Sequence, residues 1–450
     1  MATLPPGPRR LFGKSLARRD FLERPLSYIT EMAHRYGDLV CFRAWRNPIF
    51  FVNHPKMIRE VLISRKEDFA RADGIRKTLR AFEGDSVLVR EGDDWQQQRR
   101  FLQKGFRPQY LRGYAGKAVK HTREMLKAWP SSGTILAGDE MERLCTKTLA
   151  SILFGVQPPP EISQSIRVVL DARAAEAGKA VFSGNRFRST VNMEVEQALN
   201  RVNWFLDELI KLRRREEERE DLLGVLIQTS QSADNGEVSL VNIDRGIRDD
   251  MMSMIAASSY ALAAAMSWTL YLVAQHDEVQ TRLRQEAGRL VDGREDMPAD
   301  IDELPFAEKV IQESLRLYPP NWALIPRRCV RESTVGGYRI PKGSLLYIFP
   351  YVVHRDARWF ANPECFDPDR FLSENFGAEQ RSAYIPLGLG PHVCIGRALS
   401  TIVLTSILAR ILQEFRLTLP SAHFGIDPEV RVVMRPANGL PIIANRNNLD

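Results

Sequence analysis

Apolar residues recur at spacings of three and four positions along most of the chain, which is the period of a helix that buries one face. Clear examples are residues 197–214 and 400–415. Short apolar runs flanked by turn residues predict strand pairs after Tyr36, at 336–350 and at 429–445, with a helix from Pro55. The pattern predicts a mainly α fold with small β-sheets, in β-rich portions at about 36–62, 335–350 and 415–445.

One segment, residues 251–274, contains no charged residue and is long enough to span a bilayer. It is also rich in alanine and carries polar side chains such as Ser253, Tyr260 and Thr269. Large globular proteins bury such a helix on all sides. A transmembrane span is the alternative, but we favour a central core helix and expect no transmembrane segment.

The 450 residues are 44% hydrophobic, which is enough for a large core with an internal pocket. No linker-like stretch or repeat divides the chain, so residues 1–450 are predicted to form a single domain. The net charge of +7 comes from basic residues interleaved with acidic ones, a pattern that does not favour nucleic-acid binding. The same basic excess suits the docking of an acidic electron-transfer protein.

Five cysteines lie at wide, irregular spacings without a CxxC pair: Cys41, Cys145, Cys329, Cys365 and Cys394. This arrangement argues against a disulfide framework or a structural zinc site and indicates a reducing compartment. The first 20 residues contain no apolar stretch of signal-peptide length. We therefore expect a cytoplasmic protein.

The strongest chemical signal is the segment 384–400, in which a glycine-rich loop presents Cys394 and leads directly into a predicted helix. Glycines allow backbone to approach a flat ligand closely, and a thiolate near a helix N-terminus suits the role of an anionic metal ligand. A buried structural cysteine is the common alternative. The flanking glycines and His392 favour the functional interpretation.

This segment resembles the haem-binding loop of the cytochrome P-450 superfamily. The matching positions are Gly388, Gly390, His392, Cys394 and Gly396. Leu387 departs from the pattern, because the family has a phenylalanine there. The resemblance implies that Cys394 is the axial ligand of iron, that Gly396 belongs to the cofactor site, and that the cofactor is heme b, iron protoporphyrin IX.

Other segments resemble the same family. Glu313 and Arg316 match its ExxR helix, whose ion pair joins a later arginine, here Arg370, in a structural role. Haem carries two propionates, and a buried anion requires cationic or N–H partners. By resemblance, the propionate contacts are Trp95, Arg99, Arg327 and His392, with Arg328 as a less favoured neighbour of Arg327.

The central helix departs from the family at its oxygen-activation motif, which falls on residues 257–261. The expected distal residues are Ser258, Ser259, Tyr260 and Ala261. Tyr260 stands in place of the acid and Ala261 in place of the alcohol. Asp250 lies roughly 15 Å along the helix from Tyr260, and Thr269 about 12 Å from Ala261, so neither can substitute from its own position.

The resemblance implies a monooxygenase that inserts one oxygen atom of dioxygen into a small apolar organic substrate. A separate redox partner of the ferredoxin or flavodoxin type would supply electrons, and we expect a monomer. By resemblance, substrate contacts come from residues 75–89, 168–192 and 321–325. The missing acid–alcohol pair keeps two alternatives open, a peroxygenase and a redox-neutral isomerase or dehydratase. A non-catalytic haem-binding protein is a third.

Overall fold

The computed structural model describes residues 4–8, 20–21, 23–42, 47–183, 191–216, 220–232, 240–288, 303–421 and 425–447. The helices, in chain order, are α1 Pro25–Tyr36, α2 Pro55–Arg59, α3 Asp73–Glu83, α4 Gly92–Gln103, α5 Pro108–Ala128, α6 Ala137–Phe154, α7 Pro160–Ser183, α8 Met193–Arg213, α9 Leu222–Ser232, α10 Leu240–Gln275, α11 Asp277–Gly288, α12 Pro305–Leu317, α13 Pro350–Val353, α14 Ala378–Ala383 and α15 Arg397–Glu414. The strands are β1 Leu39–Phe42, β2 Ile49–Val52, β3 Phe69–Arg71, β4 Ser132–Leu136, β5 Arg327–Cys329, β6 Ser333–Val335, β7 Tyr338–Ile340, β8 Leu345–Ile348, β9 Phe415–Thr418, β10 Pro428–Val430, β11 Met434–Pro436 and β12 Pro441–Arg446.

These bounds confirm the mainly α architecture and most of the helices expected from periodicity. Several helices, among them α1, α2, α5 and α12, begin with proline, whose fixed φ suits the first turn and whose missing N–H costs nothing there. The strand pair after Tyr36 is confirmed as β1 and β2, which pair antiparallel.

The other two predicted strand pairs are wrong in their partners. In the segment 336–350, β7 pairs with β6, whereas β8 lies between β2 and β5 in the five-stranded sheet β1-β2-β8-β5-β3. In the segment 429–445, β10 pairs with β11, whereas β12 pairs with β4 and β9. Local alternation identifies a strand but not its partner, and here tertiary packing outweighs proximity in sequence.

The central helix α10 runs for 36 residues. It is long and apolar enough to cross a membrane, but 78% of its most apolar window is buried inside the protein. Trp268 is fully buried, stacks on Tyr318 of the segment after α12 at 3.9 Å between ring centroids, and donates from Nε1 to the Met434 carbonyl at 3.1 Å. The interpretation of this segment as a core helix is therefore confirmed.

A buried ion-pair network on α12 supports the polypeptide ahead of the cysteine loop. The Arg316 guanidinium donates to both oxygens of Glu313, at 2.6 and 2.8 Å. Its remaining bonds reach the carbonyls of His354, Pro363 and Cys365, so all five donors of Arg316 are used. Arg370 adds a contact to Glu313 at 3.5 Å, as the family resemblance implied.

His354 connects this network to the cysteine loop. Its Nδ1 lies 3.1 Å from the Arg316 carbonyl, and its Nε2 accepts from the Ile385 N–H at 2.9 Å. Both bonds are satisfied by the neutral ring protonated on Nδ1. Burial, reinforced by the charge of Arg316, lowers the pKa of His354 to about 3. A protonated ring would lose the bond to Ile385 and add a second buried cation beside Arg316.

The pKa of His354 predicts a pH dependence of stability. Below about pH 6.5 the unfolded chain binds a proton at this residue that the folded protein excludes, so the free energy of unfolding decreases as the pH falls from about 6.5 towards 3. Urea unfolding of the holoprotein across this range should show a contribution of up to about 1.4 kcal/mol per pH unit that His354→Gln removes.

The matched control is His34→Gln, because His34 is exposed on α1. It should leave the pH slope unchanged. Equal slopes for the wild type and the His354→Gln protein would contradict the assignment of this proton to His354.

Candidate functional site

The loop between α14 and α15 presents Cys394 through its own backbone geometry. Gly388 and Gly390 have φ values of 82° and 74°, which only glycine adopts without strain. A Cβ at Gly390 would also lie 2.5 Å from the Leu62 carbonyl oxygen. The Cys394 N–H donates to the Leu387 carbonyl at 2.9 Å, which folds the loop back on itself. These constraints place the cysteine at the end of the loop.

The Cys394 side chain is accessible, yet it is enclosed by protein. The two observations agree if the thiol borders an internal space rather than bulk solvent. Burial raises the pKa of the Cys394 thiol, while the Gly396 N–H and the charge of Arg99 act in the opposite direction. An added Cβ on Gly396 would lie 3.9 Å from the sulfur. Such a thiol requires a nearby cation to be held as a thiolate.

Helix α4 brings two of the expected cofactor residues to this loop. The Arg99 Nη2 donates to the Val393 carbonyl at 2.7 Å. The Trp95 ring lies 4.0 Å from the His392 ring between centroids, and the Arg99 guanidinium carbon lies 5.7 Å from the centre of the Trp95 ring. Trp95, Arg99 and His392 therefore form one contiguous group beside Cys394.

Arg327 reaches the same group from strand β5. It is 7% exposed, and its Nη1 is buried without a hydrogen-bond partner among the described residues. Burial, reinforced by the charge of Arg71, lowers the pKa of Arg327 to about 10. Arg328, by contrast, already forms an ion pair with Asp73 at 3.1 Å. Of the two neighbouring arginines, Arg327 is the one that forms no ion pair with the described residues.

Arg71 is a member of the site that sequence reasoning missed. It lies directly opposite Arg327 in the antiparallel pair of β3 and β5, so the two like charges share one face. Arg71 bonds to Glu91 at 2.7 Å and to the Val87 carbonyl at 3.3 Å. No sequence signal pointed to it, because β3 was not predicted as a strand.

The charges that act most strongly on His392 are all positive. Burial, together with Arg71, Arg327 and Arg99, lowers the pKa of His392 far below its usual value. Clustered cations of this kind repel one another, and one of them carries an unpartnered N–H group. A ligand with carboxylates at this position would satisfy that donor and offset the repulsion. The chemistry of these residues thus fits the propionates of a haem.

The middle of α10 has an accessible stripe within an otherwise buried helix. Ala257, Ser258 and Ala261 share one face and are not buried. The Ser258 hydroxyl donates to the Met254 carbonyl of its own helix at 2.5 Å. Ser259 is fully buried and donates to the Ile255 carbonyl at 2.8 Å. It therefore lies on the packed side of the helix, whereas the sequence analysis expected it on the accessible wall.

Tyr260 turns towards α7 instead of the accessible wall. Its hydroxyl donates to the Asp171 carboxylate at 2.6 Å, and burial, then this bond, raises the pKa of the phenol. Asp250 is fully buried and accepts from the Val87 N–H at 2.7 Å and from Gln98. The accessible wall thus carries one hydroxyl, that of Ser258, and no carboxyl group from α10.

The three predicted substrate-contact segments meet in one apolar cluster. It consists of Ala72, Ile75, Leu79, Val89, Ala177 and Ala180, with partly buried Leu88, Ile325, Leu345 and Val432. Val432 was not predicted, because its loop between β10 and β11 is distant in sequence from the other members. Part of one predicted segment, residues 184–190, lies outside the described residues.

Comparisons with known proteins agree with this geometry. The family model described as cytochrome P450 matches residues 4–441. Cyclooctatin synthase of Streptomyces melanosporofaciens is 26% identical over 98% of this chain and 95% of its own. Cyclooctat-9-en-7-ol 5-monooxygenase of the same organism is 28% identical over 92% and 88%. Pentalenene oxygenase of Streptomyces avermitilis is 26% identical over 92% and 90%.

Solved structures show the same fold. A cyanobacterial cytochrome P450 solved with retinoic acid bound superposes with a TM-score of 0.84 at 21% identity, covering 99% of this chain and 100% of that one. The haem domain of cytochrome P450DA gives the same TM-score and identity over 100% and 99%. With the family model matching nearly the whole chain, this protein belongs to the cytochrome P450 family of haem-containing, oxygen-incorporating oxidoreductases.

Proposed function

We propose that the protein is a cytoplasmic heme b monooxygenase in which Cys394 would be the thiolate ligand of the iron. The observation that carries this proposal is the position of an accessible, enclosed thiol beside a cluster of cations, one of which has a buried N–H group without a hydrogen-bond partner among the described residues. A thiolate, an iron and two propionates together balance the charges that this arrangement leaves uncompensated.

Trp95, Arg99, Arg327 and His392 are the residues that would hold the propionates, and Gly396 would allow close approach of the loop behind the sulfur. Arg99 has a second role, because its bond to Val393 fixes the backbone next to the ligand. The cofactor, when bound, supplies the iron at which dioxygen is activated. Electrons would come from a separate ferredoxin or flavodoxin-type protein, and the enzyme would act as a monomer.

In this proposal, the accessible face of α10 controls how protons reach the reacting oxygen. Ser258 directs its proton to Met254, and Tyr260 directs its own to Asp171. We infer that protons arrive through ordered water or a polar group of the substrate, with Ser258 and Ala261 shaping the space available to that water. Ala261 has no hydroxyl with which to hold the water in place.

The substrate that fits best is a bulky, largely hydrocarbon ring system. The described contact cluster is aliphatic, from Ile75 and Leu79 on α3 to Val432. The relatives at 26–28% identity are named for oxidation of cyclooctat-9-en-7-ol and pentalenene. An apolar substrate of this kind gains its binding energy from the burial of apolar surface and needs few hydrogen bonds from polar side chains.

A peroxygenase is the second candidate function. It is favoured by one observation, the absence of a carboxyl group on the accessible face of α10 while Tyr260 is engaged with Asp171. A peroxide brings its own oxygen–oxygen bond and requires no reductant. Turnover with hydrogen peroxide alone, compared with turnover with a reductase and NAD(P)H, distinguishes the two functions. A redox-neutral reaction would require neither the peroxide nor the reductant.

One prediction from this proposal concerns the metal ligand. Cys394→Ala should abolish the thiolate-type absorption band of the reduced, carbon monoxide-treated protein, because no other described cysteine ends a loop at the cation cluster. Cys365→Ala is the matched control, since Cys365 is also free and exposed and contributes only its carbonyl to Arg316. A native haem spectrum in the Cys394→Ala protein would refute the proposed ligand.

Another prediction concerns Arg327. Arg327→Leu should accelerate haem dissociation by roughly ten- to a hundredfold, the range expected for a lost charge-assisted hydrogen bond. It should also make the haem-free protein more stable, because it removes the repulsion by Arg71 and an unpartnered buried donor.

Arg328→Leu is the control for this experiment, because Arg328 is paired with Asp73. Haem transfer to an acceptor protein and denaturation of the haem-free protein provide the two measurements. If Arg328→Leu releases haem as fast as Arg327→Leu does, the propionate assignment is wrong.

A further prediction separates the roles of two residues on α10. Ala261→Thr places a hydroxyl on the accessible wall and should raise the fraction of reductant recovered as product by about two- to tenfold. Tyr260→Phe should leave that fraction unchanged, because its hydroxyl serves Asp171. The measurement is product formed per NAD(P)H consumed. Loss of coupling in Tyr260→Phe would show instead that protons pass through the phenol.

A further inference from the structure

The segment between α3 and α4, residues 84–91, contains no helix or strand. It nevertheless contributes Leu88 and Val89 to the apolar cluster, and Val89 is 1% exposed. Within this 84–91 loop, the N–H groups of Val89 and Arg90 both donate to the Ser86 carbonyl, at 2.9 and 3.1 Å. The rest of its buried backbone depends on partners from other elements.

Arg71 of β3 supplies partners to the carbonyls of the loop. Its Nη1 donates to the Val87 carbonyl at 3.3 Å, and its Nη2 donates to the Arg90 carbonyl. Its Nε donates to the Glu91 carboxylate at 2.7 Å. One planar guanidinium thus holds three groups of the 84–91 loop, an arrangement that a lysine ammonium cannot reproduce.

Two N–H groups of the loop are bound by α10. The Asp85 N–H donates to the Asp249 carboxylate at 2.9 Å, and the Val87 N–H donates to Asp250 at 2.7 Å. Asp250 is fully buried, so this attachment is shielded from solvent. The loop is therefore held between two carboxylates of α10 and the guanidinium of Arg71, and its conformation depends on both.

Arg71 also belongs to the cation cluster of the proposed cofactor site. It is 3% exposed and lies directly opposite Arg327, which is 7% exposed, in the pair of β3 and β5. Two buried like charges in this position repel each other. Without an anion near them, the repulsion weakens the hold of Arg71 on the loop. The carboxylates of a bound haem would offset the repulsion, so the bonds from Arg71 to the loop are strongest in the holoprotein.

We propose, on the basis of the proposed haem function, that Arg71 is a positioning residue that couples occupancy of the cofactor site to the order of the 84–91 loop. Bound cofactor stabilises Arg71 in its observed position, and Arg71 then holds Leu88 and Val89 in the apolar cluster. The coupling is reciprocal, because an ordered loop also keeps the Arg71 charge beside the cofactor. Arg71 does not contact the reacting atoms.

Amide hydrogen exchange, measured by mass spectrometry with and without haem, tests the coupling. The reporter is residues 85–91, and the reference is residues 262–273 of α10, which are all buried. In the wild type, removal of haem should raise exchange of the loop roughly tenfold relative to the reference. This readout does not depend on catalytic activity.

Two substitutions of Arg71 should abolish this response to haem. Arg71→Leu should raise exchange of the loop in the holoprotein by roughly tenfold, and removal of haem should then add less than twofold. Arg71→Lys keeps the charge opposite Arg327 but cannot hold three groups of the loop, so it should give the same pattern. It keeps the test decisive if Arg71→Leu does not fold.

Arg76→Leu is the matched control. Arg76 donates to the Val89 carbonyl of the same loop at 2.9 Å, but it lies on α3, and its side chain is 26% exposed. This variant should loosen the loop in the holoprotein, and removal of haem should still add roughly tenfold. A residue with a merely structural role gives this additive pattern. The same additive pattern in Arg71→Leu and Arg71→Lys would overturn the coupling.

Azole binding to ferric Arg71→Lys provides a second measurement, made by absorption titration. Imidazole should bind within about twofold of the wild type, whereas 4-phenylimidazole, whose ring extends beyond the iron, should bind roughly tenfold more weakly. Equal changes for the two azoles would contradict a role of Arg71 in positioning the substrate loop. A wild-type protein that takes up no haem would refute the proposed function, whereas haem uptake without coupling would refute this inference alone.

Discussion

The buried guanidinium of Arg316 is the interaction on which the site depends. An uncompensated charge at a fully buried position costs several kcal/mol, so the chain must bring an acceptor to each of its five donors. Glu313 supplies two oxygens from the same helix, and the remaining acceptors are backbone carbonyls between residues 354 and 365. That requirement fixes an irregular segment that has little secondary structure of its own. The His354 ring then links this segment to the Ile385 N–H, one residue before Pro386 and the cysteine loop.

On the side of Cys394 the protein concentrates positive charge. Arg71, Arg99 and Arg327 lie close enough to lower the pKa of His392, and Arg71 faces Arg327 across two strands. Such an arrangement is unfavourable in the protein alone. The same charges become favourable around an anionic cofactor. A stable holoprotein is therefore compatible with residues that destabilise the protein without its cofactor.

On the side of α10 the protein offers few polar groups. The hydroxyls of Ser258 and Ser259 are bonded within the helix, and that of Tyr260 is bonded to α7. The charged groups nearby, Glu83 and Arg173, are paired with each other and hold helices rather than facing the wall. In the proposed function, oxygen chemistry at this site would rely on water and on the substrate for protons, and the fit of an apolar substrate would control how much water is present.

The amino-acid sequence by itself determined the mainly α architecture, the core helix, and the loop that ends at Cys394. Those features are local, because apolar periodicity, glycine positions and the spacing of Glu313 and Arg316 are read within one segment. Only the tertiary structure decided the partners of β8 and β12, the position of Arg71 opposite Arg327, the direction of Tyr260 towards Asp171, and the pairing of Glu83 with Arg173. Each of these joins segments distant in the chain. Tertiary packing determines which partner a buried charge or a strand edge contacts. The local sequence pattern does not predict that partner.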